Sequence, residues 1–156
     1  LEEHHISTIE ELNEHVKGKK AELGILGQVN RRKKADIAGI KENLRYLNWY
    51  EEGIPVIAEI EKRKFNKAKE RIKEENGDTL RRYHIAKRIL TERCLIGKMD
   101  KNVLQQEICK LENETKENYV QYKVLLKDIK QLQDICMFSR NPKEQKKQKA
   151  KEENSL

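Results

Sequence analysis

The chain has 156 residues, of which 39% are charged, 36% hydrophobic and 5% aromatic, and it carries a formal charge of +7. Such a balance excludes a thick globular core, and the absence of an apolar run near the ~20 residues of a membrane span excludes a membrane-embedded helix. It suits exposed helices around a narrow apolar seam, with nucleic acid the first anionic partner to consider.

Ser7 and Glu10 have the S-x-x-E spacing of a capping box and predict a first helix starting near Thr8. Ile9, Leu12, Val16, Leu23, Leu26, Ile37, Ile40, Leu44 and Leu47 then recur at alternating three- and four-residue spacing, the a/d seam of a coiled coil. The predicted arm covers about 8–50. Gly18, Gly24, Gly27 and Gly39 lie inside it, each costing about 1 kcal/mol relative to Ala. Two readings stay open: a kink or short break near Gly18, or close approach of a partner helix. Gly53 marks a turn and Pro55 the first position of a helix over 55–76, with Ile57, Ile60, Phe65, Ala68 and Ile72 inward.

Asp78 is the expected cap of a third helix over 78–96, with Leu80, Tyr83, Ala86, Ile89 and Leu90 inward and Gly97 ending it. Asp100 caps a second long arm over 100–138, whose seam is Leu104, Ile108, Leu111, Tyr122, Leu125, Ile129, Leu132 and Cys136. The stretch 139–156 is basic, lacks apolar periodicity and reads as a disordered tail. The expected fold is therefore all-α: an elongated antiparallel helical hairpin, coiled-coil-like, over 1–138, with a short helical pair at its tip.

Both seams lapse once, at Asn30 and Lys33 and at Thr115 and Asn118. Levelling the lapses sets Leu23 near Leu125, Leu26 near Tyr122, Ile37 near Leu111 and Leu44 near Leu104, so every a position faces a d. A polar layer in a seam costs stability and fixes register. Pairing of the seams between two chains would instead give a homodimer.

Cys94, Cys109 and Cys136 are odd in number and lack C-x-x-C spacing, so they read as reduced core thiols of a cytoplasmic protein. Of the histidines His4, His5, His15 and His84, only His4 and His5 are adjacent, and they lie outside the helical pattern. No metal site or cofactor is implied. Phosphate-binding loops, zinc-protease helices and nucleophile elbows are absent from the sequence. The five tyrosines lack a neighbouring His set, and Tyr83, Tyr119 and Tyr122 read as packing residues. Trp49 and Tyr50 close the end of the first arm against the middle helices, with base stacking as the sharper alternative. The candidate DNA contacts are Arg31, Arg32, Lys62, Arg63, Arg81 and Arg82, drawn from basic clusters that otherwise read as solvated helix surface.

The opening Ser7-Thr8-Ile9-Glu10-Glu11-Leu12 is followed by Pro55, Val56 and Phe65, then Tyr83, Ala86 and Leu90. Leu111, Tyr119, Tyr122, Lys123 and Leu126 precede a final Lys/Leu/Ile repeat. In that order they resemble the C-terminal, non-catalytic helical region of bacterial relaxases, the mobilization nucleases of plasmids and integrative elements, over most of residues 6–138. The family's nucleophilic Tyr and His-rich metal site belong to a separate N-terminal domain, and its metal-binding His motif is absent here, so no catalytic residue carries over. The resemblance implies an accessory module in DNA mobilization and conjugative transfer that contributes DNA binding or recruits transfer-machinery proteins. The chain starts at Leu1 without Met and is expected to be a piece of a larger protein. The alternative is a coiled-coil protein-interaction or scaffold module without a DNA role. On either reading the chain is not itself an enzyme.

Overall fold

The computed structural model describes residues 8–138, which form four helices and no strand: α1 (Ile9–Lys62), α2 (Asn66–Glu75), α3 (Gly77–Glu92) and α4 (Lys101–Phe138). Ser7, His4, His5 and the tail 139–156 lie outside the described residues. The chain divides into two compact units, one built from described residues 8–32 and 115–138, the other from 33–114. Among the described residues no helix is long and apolar enough to cross a membrane.

In the first unit, α1 and α4 run antiparallel. Asn13 meets Cys136 (3.2 Å), Lys19 meets Asp128 (3.4 Å), and the Cβ position of Gly27 would lie 3.9 Å from the Tyr122 ring. These pairs agree to within a residue with the level set by the seam lapses. Leu12, Val16, Ile129 and Leu132 are buried together, and Leu23, Ile135 and Cys136 pack against them. Asn30 lies in the seam half-buried, and its buried Oδ1 has no hydrogen-bond partner.

In the second unit α1 and α4 are again antiparallel, and Lys33 donates to Glu114 at the level of the lapse. Lys41 pairs with Glu112 (3.3 Å) and Glu51 with Lys101. Both pairs are offset by about one turn from the expected level, a span that long Lys and Glu side chains bridge. The buried set is Ile37 and Leu47 from α1, Leu80, Tyr83, Ala86 and Leu90 from α3, and Ile108 from α4. α2 buries no residue. Phe65, expected inward, is 76% exposed because it is the N-cap of α2 and not part of its helical face.

The helix boundaries differ from expectation at three places. The first arm does not stop near residue 50: α1 continues unbroken past Gly18 and through Gly53 and Pro55 to Lys62. Pro inside a helix removes one hydrogen bond and costs about 3 kcal/mol, yet its packing context outweighs that local preference. A Cβ at Gly53 would sit well inside 3.0 Å of the Tyr83 side chain. Gly53 is buried, and Val56, Ile57 and Ile60 beyond the proline are half-buried. Gly53 thus serves close approach of α3, not a turn.

Asp78 is not the cap of α3. Asn76 ends α2 and precedes α3, donating through its side-chain amide to the Ile72 carbonyl (3.0 Å). Asp78 sits in the first turn, where its charge complements the helix dipole and pairs with Arg81 (3.1 Å). At the other end α3 closes before Gly97, with Cys94 in the left-handed region (φ 57°). The Leu95 N–H donates to Leu90 O (2.9 Å) and the Cys94 N–H to Thr91 O (3.0 Å), the two bonds of a Schellman closure. Gly97 (φ 74°) then turns the connection toward α4. There Asp100 Oδ1 accepts from the Asn102 N–H (2.8 Å), the expected cap. Thr8 accepts from the Glu11 N–H (3.1 Å), capping α1 one residue later than the Ser7 spacing implies.

The thiols also depart from expectation: Cys136 is half-buried, whereas Cys94 and Cys109 are exposed, so only one of the three joins a core. Cys94 is drawn outward by its helix-closing role, and Cys109 follows Ile108 off the seam.

Three outcomes follow from these contacts. An added Cβ meets nothing within 4 Å at Gly39, so Gly39→Ala should raise unfolding free energy by about 0.4–1 kcal/mol, whereas Gly53→Ala should lower it by about 1–3 kcal/mol. Urea titration of both variants checks the contrast. Asn30→Leu removes a buried, unpaired acceptor and should raise stability by about 1 kcal/mol in the same assay. Glu114 is held below the ordinary carboxylate range, first by its hydrogen bond from Lys33 and then by the Lys33 and Lys110 charges against desolvation. A lowered folded-state value stabilises above the unfolded pKa and is lost as pH falls through the folded one. Melts taken from neutral pH down through the carboxylate range should therefore drop less steeply for Glu114→Gln than for the parent chain.

Candidate nucleic-acid interface

α3 presents its apolar residues to the core, and the opposite face carries charge. Between Thr79 and Thr91 there is no Asp or Glu, while Arg81, Arg82, His84, Lys87 and Arg88 are exposed. Helical spacing separates the two sets, since Leu80, Tyr83, Ala86 and Leu90 follow the three- and four-residue rhythm. The stretch is a positive face; α1 has a comparable carboxylate-free stretch between Glu22 and Asp36, with Arg31, Arg32 and Lys34 exposed, but there Lys33 is paired with Glu114.

Tyr83 joins this face to α1. Its ring stacks on Tyr50 with centroids 5.4 Å apart and planes inclined by 12°, and its Cβ lies against Gly53. The same docking sets Arg82 over the Trp49 ring, 5.6 Å from its centre. Arg45, on α1, lies 5.4 Å from the centre of that ring and 5.2 Å from that of Tyr46. Tyr46 and Trp49 meet edge to face at 5.6 Å. Arg93, at the end of α3, lies 5.6 Å from the Tyr46 ring centre and donates to Glu42 (3.0 Å) and Asn43 (2.5 Å). Lys87 is 6.0 Å from the Tyr83 ring centre. Each guanidinium over a ring gains about 0.5–2 kcal/mol depending on exposure. A ring contact, unlike an ion pair, does not take up the N–H donors of Arg45 or Arg82, which remain available to an oxyanion.

The six residues singled out from the sequence are distributed between the units. Arg31 and Arg32 are exposed on α1 in the first unit. In the second, Lys62 ends α1, and Arg63 pairs with Glu59 (3.4 Å) beside a shallow depression lined by Lys67, Arg71 and Glu75. Arg81 is paired with Asp78, whereas Arg82 lies on Trp49. Among the described residues, no carboxylate forms an ion pair with Arg82 or Arg45. Arg45, Lys87 and Arg93 are not distinguished by basic clusters. The only sequence signal for Arg45 is its four-residue spacing to Trp49, which puts both on one helix face. Arg93 has no such signal, because its partners lie on another helix.

Trp49 and Tyr50 meet one of the two middle helices, α3, through Arg82 and Tyr83. Tyr119 is 54% exposed, stacked on Tyr122 with Lys123 over its ring at 4.8 Å. Among the described residues no group of His, Cys, Asp or Glu has the arrangement of a metal site. No protein-family model matches the chain, and no curated protein or solved structure matches it.

Proposed function

We propose that the chain is a non-catalytic helical module that binds DNA through its phosphate backbone. The observation that carries this reading is the carboxylate-free, exposed cationic face of α3 between Thr79 and Thr91. A row of Arg and Lys on a rigid helix follows phosphates without reading bases. The relaxase resemblance supplies the context: an accessory module in DNA mobilization, cytoplasmic, acting beside a nuclease domain and transfer-machinery proteins. Catalysis is assigned to that separate domain.

A second reading, a protein-binding scaffold or homodimer without a DNA role, is favoured by Ile25, Val120 and Val124. These apolar residues of the first unit are 63%, 62% and 54% exposed. The formal charge of +7 and the α3 face give the DNA reading precedence.

Binding of the full chain to a mixed-sequence labelled duplex, followed by anisotropy over a salt series, tests the proposal. A dissociation constant on the order of 10⁻⁶–10⁻⁴ M at physiological salt is expected, weakening steeply as salt rises. Arg81→Glu with Arg82→Glu should weaken binding about tenfold and flatten the salt slope, with helical circular dichroism unchanged. Absence of binding even at low salt would hand the function to the protein-partner reading.

A further inference from the structure

We propose that Arg45 and Arg82 form a preorganised clamp for the phosphate backbone of DNA, with Trp49 as the shelf that holds them and not as a platform for bases. The inference rests on the nucleic-acid reading above and names the groups that make the contact.

Two guanidiniums from different helices lie within 5.6 Å of the centre of one ring. Gathering like charges is unfavourable unless an anion offsets it. Three other arginines have such anions on their own chain, Arg63 from Glu59, Arg71 from Glu75 and Arg81 from Asp78. Among the described residues Arg31, Arg32 and Arg88 form no ion pair and lie over no ring. Arg45 and Arg82 pair with no carboxylate among the described residues, and both are exposed. Their counter-charge therefore comes from solution.

The geometry favours phosphates over bases. A guanidinium held near a ring keeps its N–H donors uncommitted to a carboxylate, and their planar fork matches the oxygens of a phosphodiester. It has also already lost part of its rotamer freedom, so less is lost on binding. Trp49 is half-buried with one guanidinium from α1 and one from α3 near its centre, which disfavours it as the stacking platform of single-strand binders. Repeated phosphates along one strand offer each fork its own anion, whereas one small anion neutralises only part of the paired charge.

The test uses the full chain and a labelled mixed-sequence duplex, with Trp49, the single tryptophan, as a second reporter. Arg45→Gln with Arg82→Gln should weaken binding about tenfold and lower the log–log salt slope by about 2, one phosphate contact for each Arg. Arg45→Lys with Arg82→Lys keeps both charges but not the forks; it should weaken binding several-fold at an unchanged slope. This pair also keeps the test decisive if the Gln pair disturbs folding. An abasic single strand should compete for the response of Trp49 emission to DNA within about twofold of a base-bearing strand of equal length, because phosphates and not bases carry the affinity. Full-strength binding by either double variant, or an abasic competitor at least tenfold weaker, overturns the clamp while leaving the DNA-binding reading in place. Failure of the parent chain to bind DNA at low salt overturns that reading itself, and the clamp with it.

Discussion

Tyr83 lies so close against α1 that only a residue without a side chain can occupy position 53. This contact docks α3 on α1, and much of the second unit depends on it. With Tyr83 seated on Gly53 and stacked on Tyr50, the next residue, Arg82, reaches Trp49. Further along the same helix Arg93 reaches Glu42 and Tyr46. Ala86 and Leu90, one and two turns beyond Tyr83, are the most completely buried residues of the helix. A small residue on one helix and a large aromatic on the other thereby convert a backbone approach into an aligned set of side-chain contacts. The same packing accounts for the helical path through Pro55, where local preference argues for a break.

The seam between α1 and α4 works by a different balance. Its apolar positions supply burial, while Asn30 in one unit and Lys33 with Glu114 in the other interrupt it. A shifted pairing would place hydrocarbon against these groups, so the interruptions penalise alternatives more than they stabilise the native register. Asn30 illustrates the cost, since its Oδ1 is buried without a partner. Lys33 meets its partner's charge with side chains that remain partly exposed, which limits desolvation. The units differ accordingly: the first has an aliphatic core of Leu12, Val16, Ile129 and Leu132, the second an aromatic and arginine-rich flank around α3.

That flank separates two uses of a cation. Arg63, Arg71 and Arg81 form exposed ion pairs with carboxylates one turn away on the same chain. Arg45 and Arg82 are held by an aromatic ring, which orients a charge without cancelling it. Proximity in sequence to other basic residues is therefore a poor guide to which cations are available. Arg81 and Arg82 are neighbours, yet one is paired and the other is not.

Much of the secondary structure was legible because it follows from local chemistry. The three-four rhythm of Leu12 to Leu47 and of Leu104 to Cys136 marks the long helices, Asp100 marks the start of α4, and the lapses at Asn30 and Thr115 mark their level. The inward set of α3 was equally plain, since a helix exposes its apolar stripe at a fixed spacing. What the sequence could not determine was the meaning of residues with two physical roles. Gly53 reads as a break until Tyr83 occupies the space its missing side chain leaves. Cys94 reads as a core thiol until the Schellman bonds of Leu90, Thr91 and Leu95 require a left-handed residue there. Arg45 and Arg93 belong to no basic cluster, and only the docking of α3 on α1 brings them to the rings of Tyr46 and Trp49. Periodicity is a property of one helix and can be read along the chain; close approach and charge pairing are properties of two helices, and only tertiary packing decides them.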